Sequence, residues 1–219
     1  MKHLLKKILL LSFMLFTLSG SAQEELFGDN SGISLAYLQA IYEDAEPGFG
    51  VGFSAFVSRS IAISAGFVSN DGYATPLAGV GYFSKPDASL VRWYIGATYA
   101  RFREEAYVSI YTTRPHYFHA MGLSFGVFRT FFPTSNFPFA VTGSASAQTA
   151  FGSHNEEANK LSPTAGLHFT QGFFAKGTIY PFIGLGFTHE FEHNINLYSA
   201  SIGFNVKINT KPKAKPKEI

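Results

Sequence analysis

The stretch Leu197–Ile208, LYSASIGFNVKI, decides the fold. Tyr198, Ala200, Ile202, Phe204, Val206 and Ile208 alternate with Leu197, Ser199, Ser201, Gly203, Asn205 and Lys207. Successive side chains on a strand point to opposite faces, so one face is continuously apolar and the other mostly small or polar. In a soluble sandwich the apolar face looks inward. In a transmembrane barrel it meets lipid, and the small polar face lines a lumen.

The same alternation recurs upstream. Strands are predicted over Gly32–Tyr42, Gly48–Val57, Ile61–Val68, Leu77–Phe83, Leu90–Phe102, Tyr117–Phe131, Phe137–Phe151, Thr164–Phe174 and Ile179–Thr188. Phe49, Val51, Phe53 and Val57 are opposed by glycines and Ser54, and Leu123, Phe125 and Val127 by Gly122, Ser124 and Gly126. A soluble core cannot be filled by glycine and serine, which argues against a lipocalin-like barrel. The spacing predicts short turns around Ser58–Ser60, Ser84–Ser89, Phe132–Asn136 and Ala175–Gly177. Longer polar loops are predicted at Glu43–Pro47, around Asn70–Gly72, and at Arg103–His116, Gly152–Pro163 and His189–Asn196. This is the alternation of outer-membrane barrels, with short periplasmic turns, longer outer loops and an even strand number. The expected fold is therefore all-β, a transmembrane antiparallel up-and-down β-barrel of ten strands. Eight is the alternative count if Gly32–Tyr42 and Leu77–Phe83 are not both strands.

Compartment and charge agree with this. Lys2, Lys6 and Lys7 precede an apolar run, Ile8–Leu18, and a small-residue exit, Ser19–Ala22, the form of a secretory signal peptide. The run is short for a spanning helix, which needs about 20 apolar residues. The expected organisation is a signal peptide over 1–22, a barrel over 23–208 and a basic tail over 209–219. Residues 23–30 read as a polar lead-in. Without Lys2, Lys6 and Lys7, the 17 basic and 15 acidic residues become 14 and 15, a formal charge of −1. The basicity is thus no nucleic-acid signal. There is no cysteine, which removes disulfides, thiolate metal sites and N-terminal lipid modification.

Ser201, Gly203, Val206 and Ile208 stand as polar-x-Gly-x-x-apolar-x-apolar. This resembles the last-strand signal of bacterial outer-membrane proteins, and it implies recognition by the barrel-assembly machinery through those residues. Family members commonly stop on an aromatic, whereas this chain continues past Ile208 to Ile219. With its phenylalanine and glycine richness (24 and 21 residues) and its tail, the chain resembles the small outer-membrane β-barrel proteins of Bacteroidota-type bacteria. The resemblance implies residence in the cell outer membrane and carries over no catalytic motif.

Candidate sites are few. His189, Glu190, Glu192 and His193 form a histidine–carboxylate cluster of the kind that binds zinc or nickel. On a strand, however, the histidines face away from the glutamates, so a solvated outer loop is the expectation. His168 and Thr170 share the predicted lumen face with Ser146 and Gln148 of the neighbouring strand. They could form a nucleophile–base pair. His168-x-Thr170 is similar to the closely spaced histidine and serine of outer-membrane lipid A deacylases, but the surrounding residues do not match. A hydrogen-bonded lumen plug is expected instead. Arg92 should point inward near the periplasmic end, far from Glu190. Trp93, Tyr99 and Tyr198 should join aromatic girdles. The tail, with Lys211, Lys213, Lys215 and Lys217, is proline-broken and reads as disordered, with periplasmic or cell-wall contact open to it. No phosphate-binding glycine loop is present.

No catalytic, cofactor or metal residues are therefore assigned. The expected role is non-enzymatic, structural or surface-interacting, with Arg103–His116 as the contact surface. A small-solute channel is the first alternative and a lipid-modifying enzyme using His168 and Thr170 the second.

Overall fold

The computed structural model describes residues 26–27, 31–42, 45–70, 73–85, 91–109, 112–152, 159–192 and 194–208. At 37–42, 45–48, 70, 73–74, 104–109 and 112–115 it describes the backbone alone. The expected signal peptide and tail lie outside these residues. Ten strands follow in order: β1 (Ile33–Tyr42), β2 (Ala45–Phe56), β3 (Ile61–Asn70), β4 (Tyr73–Phe83), β5 (Arg92–Ser109), β6 (Thr112–Phe131), β7 (Phe139–Phe151), β8 (Ser162–Gly172), β9 (Ile179–Glu190) and β10 (Ile195–Val206). Each pairs antiparallel with its sequence neighbours, and β1 closes on β10, from Ile33 opposite Val206 to Tyr42 opposite Leu197. The barrel has no free edge, so the ladders satisfy the wall's own amides and carbonyls, which lipid could not.

The alternation read from Leu197–Ile208 orients the whole wall. On β10, Tyr198, Ile202 and Phe204 are 48%, 56% and 55% exposed, while Leu197, Gly203 and Asn205 are buried. On β6, Met121, Leu123, Phe125 and Val127 face outward, and Ala120, Gly122, Ser124, Gly126 and Phe128 face inward. A large apolar exterior over small polar interior positions suits lipid and no other solvent. The band has a measurable height. Along β6 it runs between the outward residues Arg129 and His119, ten positions apart. At about 3.4 Å per residue and roughly 40° of tilt that distance is about 26 Å, matching the apolar band of outer-membrane barrels.

The aromatic girdles fall at its borders. Trp93, with Tyr82 at 5.7 Å, marks the end that carries the start of β1 and the end of β10, here the inner end. Tyr99, Tyr117 and Tyr198 mark the outer end. Exposed Phe132, Phe137 and Phe174 extend the inner girdle in the turns. Phe132 and Phe174 do so from left-handed backbone (φ 53° and 57°).

Several boundaries differ from the sequence expectation, mostly because strands here continue through polar residues. β2 begins at Ala45, so Ala45–Pro47 belong to the wall and not to a loop, with a bulge opposite them between Ala40 and Tyr42. β4 begins at Tyr73 and not at Leu77. The largest departure is Arg103–His116. Most of it is strand: β5 runs to Ser109 and β6 starts at Thr112, with Arg103 opposite Tyr117 and Glu105 opposite Pro115. Charged residues on a strand that has left the lipid band carry no penalty, so charge alone does not mark a loop there. Likewise β9 runs to Glu190, taking His189 and Glu190 out of the predicted loop.

Leu123 sits near mid-height and is 66% exposed. Leu123→Arg should lower the unfolding free energy of the inserted barrel by about 2–4 kcal/mol, read from denaturant unfolding in lipid vesicles. Met121→Arg, nearer the border, should cost less.

Candidate functional site: the barrel lumen and the outer hairpin

The lumen changes character along its axis, and each layer follows from which residues occupy the inward positions. At the inner end they are large and aromatic. Ring contacts run across the barrel from Tyr180 to Phe27 (6.1 Å), Phe27 to Phe56 (6.5 Å), Phe56 to Phe83 (5.3 Å), and Phe83 to Tyr94 and Phe128 (5.4 and 6.3 Å). Edge-on and offset pairs of this kind add to the stability given by burial. Arg92 lies in the same layer, donating to the Ser84 carbonyl (2.9 Å) with its guanidinium over Phe128 (5.1 Å). Lys207 donates to the Ala175 carbonyl at 2.5 Å and lies over Tyr180. Arg92 is inward and at the inner end, as expected, and Glu190 is at the opposite one.

Phe27 belongs to the segment read as a polar lead-in. Leu26 and Phe27 are instead 2% and 1% exposed, folded into the inner mouth. Gly32 makes this possible. Its backbone is left-handed (φ 136°), and a Cβ there would overlap the Phe27 ring at 2.5 Å. The sequence did hold a signal: two adjacent large apolar residues in an otherwise polar stretch have to be buried somewhere.

The middle of the lumen is small and polar. Ser54, Thr98, Ser124, Thr142 and Thr170 are buried there, among inward glycines. A cavity of about 20 Å³ between β3, β4 and β5, lined by Ser64, Gly79, Gly81, Gly96 and Thr98, has room for one water.

His168 is inward, as predicted, and packs against the two glycines beside it: a Cβ on Gly186 would lie 2.5 Å from its Nδ1, and one on Gly166 3.2 Å from its Nε2. The expected hydrogen-bonded plug forms only in part. Among the described residues no hydrogen bond joins His168 to Thr170, and Thr170 Oγ1 has no partner. Of the expected residues Ser146 is bonded, to Thr164 on β8, and elsewhere in the barrel Ser34 bonds Asn205. A nucleophile–base pair needs contact within about 3.2 Å and an orienting third group, and this arrangement supplies neither.

At the outer end Glu190 points into the lumen, 6% exposed, and accepts from Ser162 Oγ (2.8 Å) and the Glu192 amide (2.9 Å). His189 is on the other side of the strand, its Nδ1 3.0 Å from Asn196 Oδ1 and its ring edge-on to Phe191 at 4.8 Å. Glu192 is exposed, 4.0 Å from Lys160. The four-residue cluster is thus divided between wall faces, with His193 outside the described residues. Among the described residues no group of three or more metal-ligating side chains converges.

Above the band, β5 and β6 continue as a two-stranded hairpin. Pairing of β5 with β4 ends at Ala100–Leu77, and pairing of β6 with β7 ends at His119–Phe151. The His116 ring bonds the Gly152 carbonyl at 2.6 Å, tying the hairpin to the start of the β7–β8 connection.

No family model and no curated protein matches the chain. Solved structures do. The N-terminal β-barrel domain of Pseudomonas aeruginosa OprF aligns at 10% identity and TM-score 0.38, over 80% of this chain and 97% of that one. The β domain of the Bordetella autotransporter BrkA aligns at 12% and 0.47, over 81% and 98%. Neisserial surface protein A aligns at 15% and 0.36, over 81% and 95%.

If the aromatic layer closes the inner mouth, the unaltered protein in a planar bilayer should give no conductance steps, and Phe27→Ala should introduce them. The closed wall and its lipid-facing band make the chain a membrane-spanning β-barrel of outer-membrane type.

Proposed function

We propose that the protein is a non-enzymatic barrel of the cell outer membrane that works as an envelope structural or surface-contact protein through its outer hairpin. The observation that supports this reading is the aromatic layer at the inner mouth, from Tyr180 through Phe27 to Phe128, which favours a side-chain-filled lumen over an open one. What remains available to partners is the outer end, where residues 101–109 and 112–118 extend beyond their pairing with β4 and β7. Beyond those rungs the two strands pair with each other, an extended two-stranded form on which a partner strand can dock.

A small-solute channel is the second reading. The small polar middle of the lumen favours it, and displacement of Leu26 and Phe27 would be the opening step. The lipid-modifying reading through His168 and Thr170 draws support only from their shared lumen face. The kinship with barrels of Bacteroidota-type bacteria belongs to the same proposal and rests on the phenylalanine–glycine alternation and the basic tail. So does recognition by the assembly machinery through Ser201, Gly203, Val206 and Ile208.

Replacing residues 103–117 with a two-residue Asn-Gly turn should leave the barrel assembled and heat-modifiable on gels, since β5 and β6 keep every rung from Arg92–Phe128 to Phe102–Phe118. Loss of the unboiled, fast-migrating form would show that the hairpin is needed for folding and would sink the contact-surface reading.

A further inference from the structure

We propose that the outward face of β5 and β6 at the outer border of the apolar band, centred on Arg101, binds the phosphate of a lipid headgroup in the outer leaflet. The site rests on the outer-membrane reading above and adds a ligand class to it. Its residues come together through the ladder: Arg101 is opposite His119, Arg103 opposite Tyr117, and Tyr99 opposite Met121. All six are on the exposed side of the wall. Immediately towards mid-height the same face becomes Met121, Leu123 and Phe125, 56%, 66% and 50% exposed. Cationic and aromatic groups therefore stand directly above an acyl-chain surface. An amphiphile with an anionic head matches both halves, and a free anion matches one.

The Arg101 side chain is held in place. The Arg101 guanidinium lies 4.3 Å from the centroid of the Tyr117 ring. Stacking occupies the flat face of a guanidinium, while its five N–H donors radiate in the plane, where phosphate oxygens can take them in pairs. The His119 ring is stacked on Tyr99 at 5.7 Å, with its Nδ1 2.6 Å from the Tyr99 hydroxyl. Arg103 is two positions along the strand from Arg101, about 7 Å, a spacing from which two guanidinium groups can bracket one phosphate. The height is that of headgroups, since the roughly 26 Å band ends at His119. Arg129, stacked 4.6 Å over Phe131 at the inner border, has no second arginine beside it on this face of β6.

The test uses the purified full-length barrel in detergent, with diphosphoryl lipid A and its fully dephosphorylated counterpart as probes. Lipid retained on the folded protein is counted by native mass spectrometry. The unaltered protein should retain the phosphorylated lipid roughly tenfold more than the dephosphorylated one. Arg101→Gln combined with Arg103→Gln should abolish that preference, and Arg129→Gln should leave it intact. Inorganic phosphate at the same concentration should not compete. Equal retention of the two lipids overturns the proposal. So does a preference that survives the double substitution, or competition by inorganic phosphate as strong as by lipid. The two-lipid comparison needs no variant, so it decides the matter even if the double variant fails to assemble. Failure with a protein that is still heat-modifiable removes the site and leaves the barrel reading standing.

Discussion

A bilayer offers the backbone no water, and that single constraint organises this molecule. Every amide and carbonyl inside the apolar band has to find its partner on a neighbouring strand, which only a closed ladder allows. Closure falls to the pairing of β1 with β10, running unbroken from Ile33–Val206 to Tyr42–Leu197. Once the wall is closed, alternation leaves no choice of solvent: outward residues meet lipid and inward residues share a narrow lumen.

That narrow lumen explains the use of glycine. A Cβ on Gly203 would collide with the Leu35 carbonyl and the Phe182 ring, and one on Gly126 with the Tyr94 ring. The aromatic side chains that close the inner mouth therefore fit because the facing strands give up their own side chains. Gly203 is also part of the terminal-strand pattern that resembles an assembly signal, so packing supplies an independent reason for the same residue. The outer half of the lumen takes the opposite course: Ser162 donates to Glu190, and Ser146 bonds Thr164, each pair joining neighbouring strands.

Much of this was legible in the sequence. Period-two alternation is a local property, so the strand faces, the inward Arg92 and His168, and the girdle positions of Trp93, Tyr99 and Tyr198 could be read directly. Strand ends could not. Glu104 and Glu105 look like loop residues, yet they continue β5, because a strand that has left the lipid tolerates charge and is held by its partner β6. Where Leu26 and Phe27 are buried was equally hidden, since it depends on rings contributed by β2 and β9. The hydrogen-bonding of the lumen was only partly legible for a related reason. Which hydroxyl meets which acceptor depends on register, so Ser146 bonds Thr164 while Thr170 has no partner.

The central claim is that the apolar face of each strand touches lipid. The absence of cysteine makes it directly testable, because single cysteines can be introduced without background. Spin labels placed one at a time from Met121 to Val127 of β6, in the barrel reconstituted in vesicles, should report collision with lipid-dissolved oxygen at 121, 123, 125 and 127. At 122, 124 and 126 they should be shielded from it. A uniform profile, or maxima at the even positions, would contradict the account and make the apolar face an interior one.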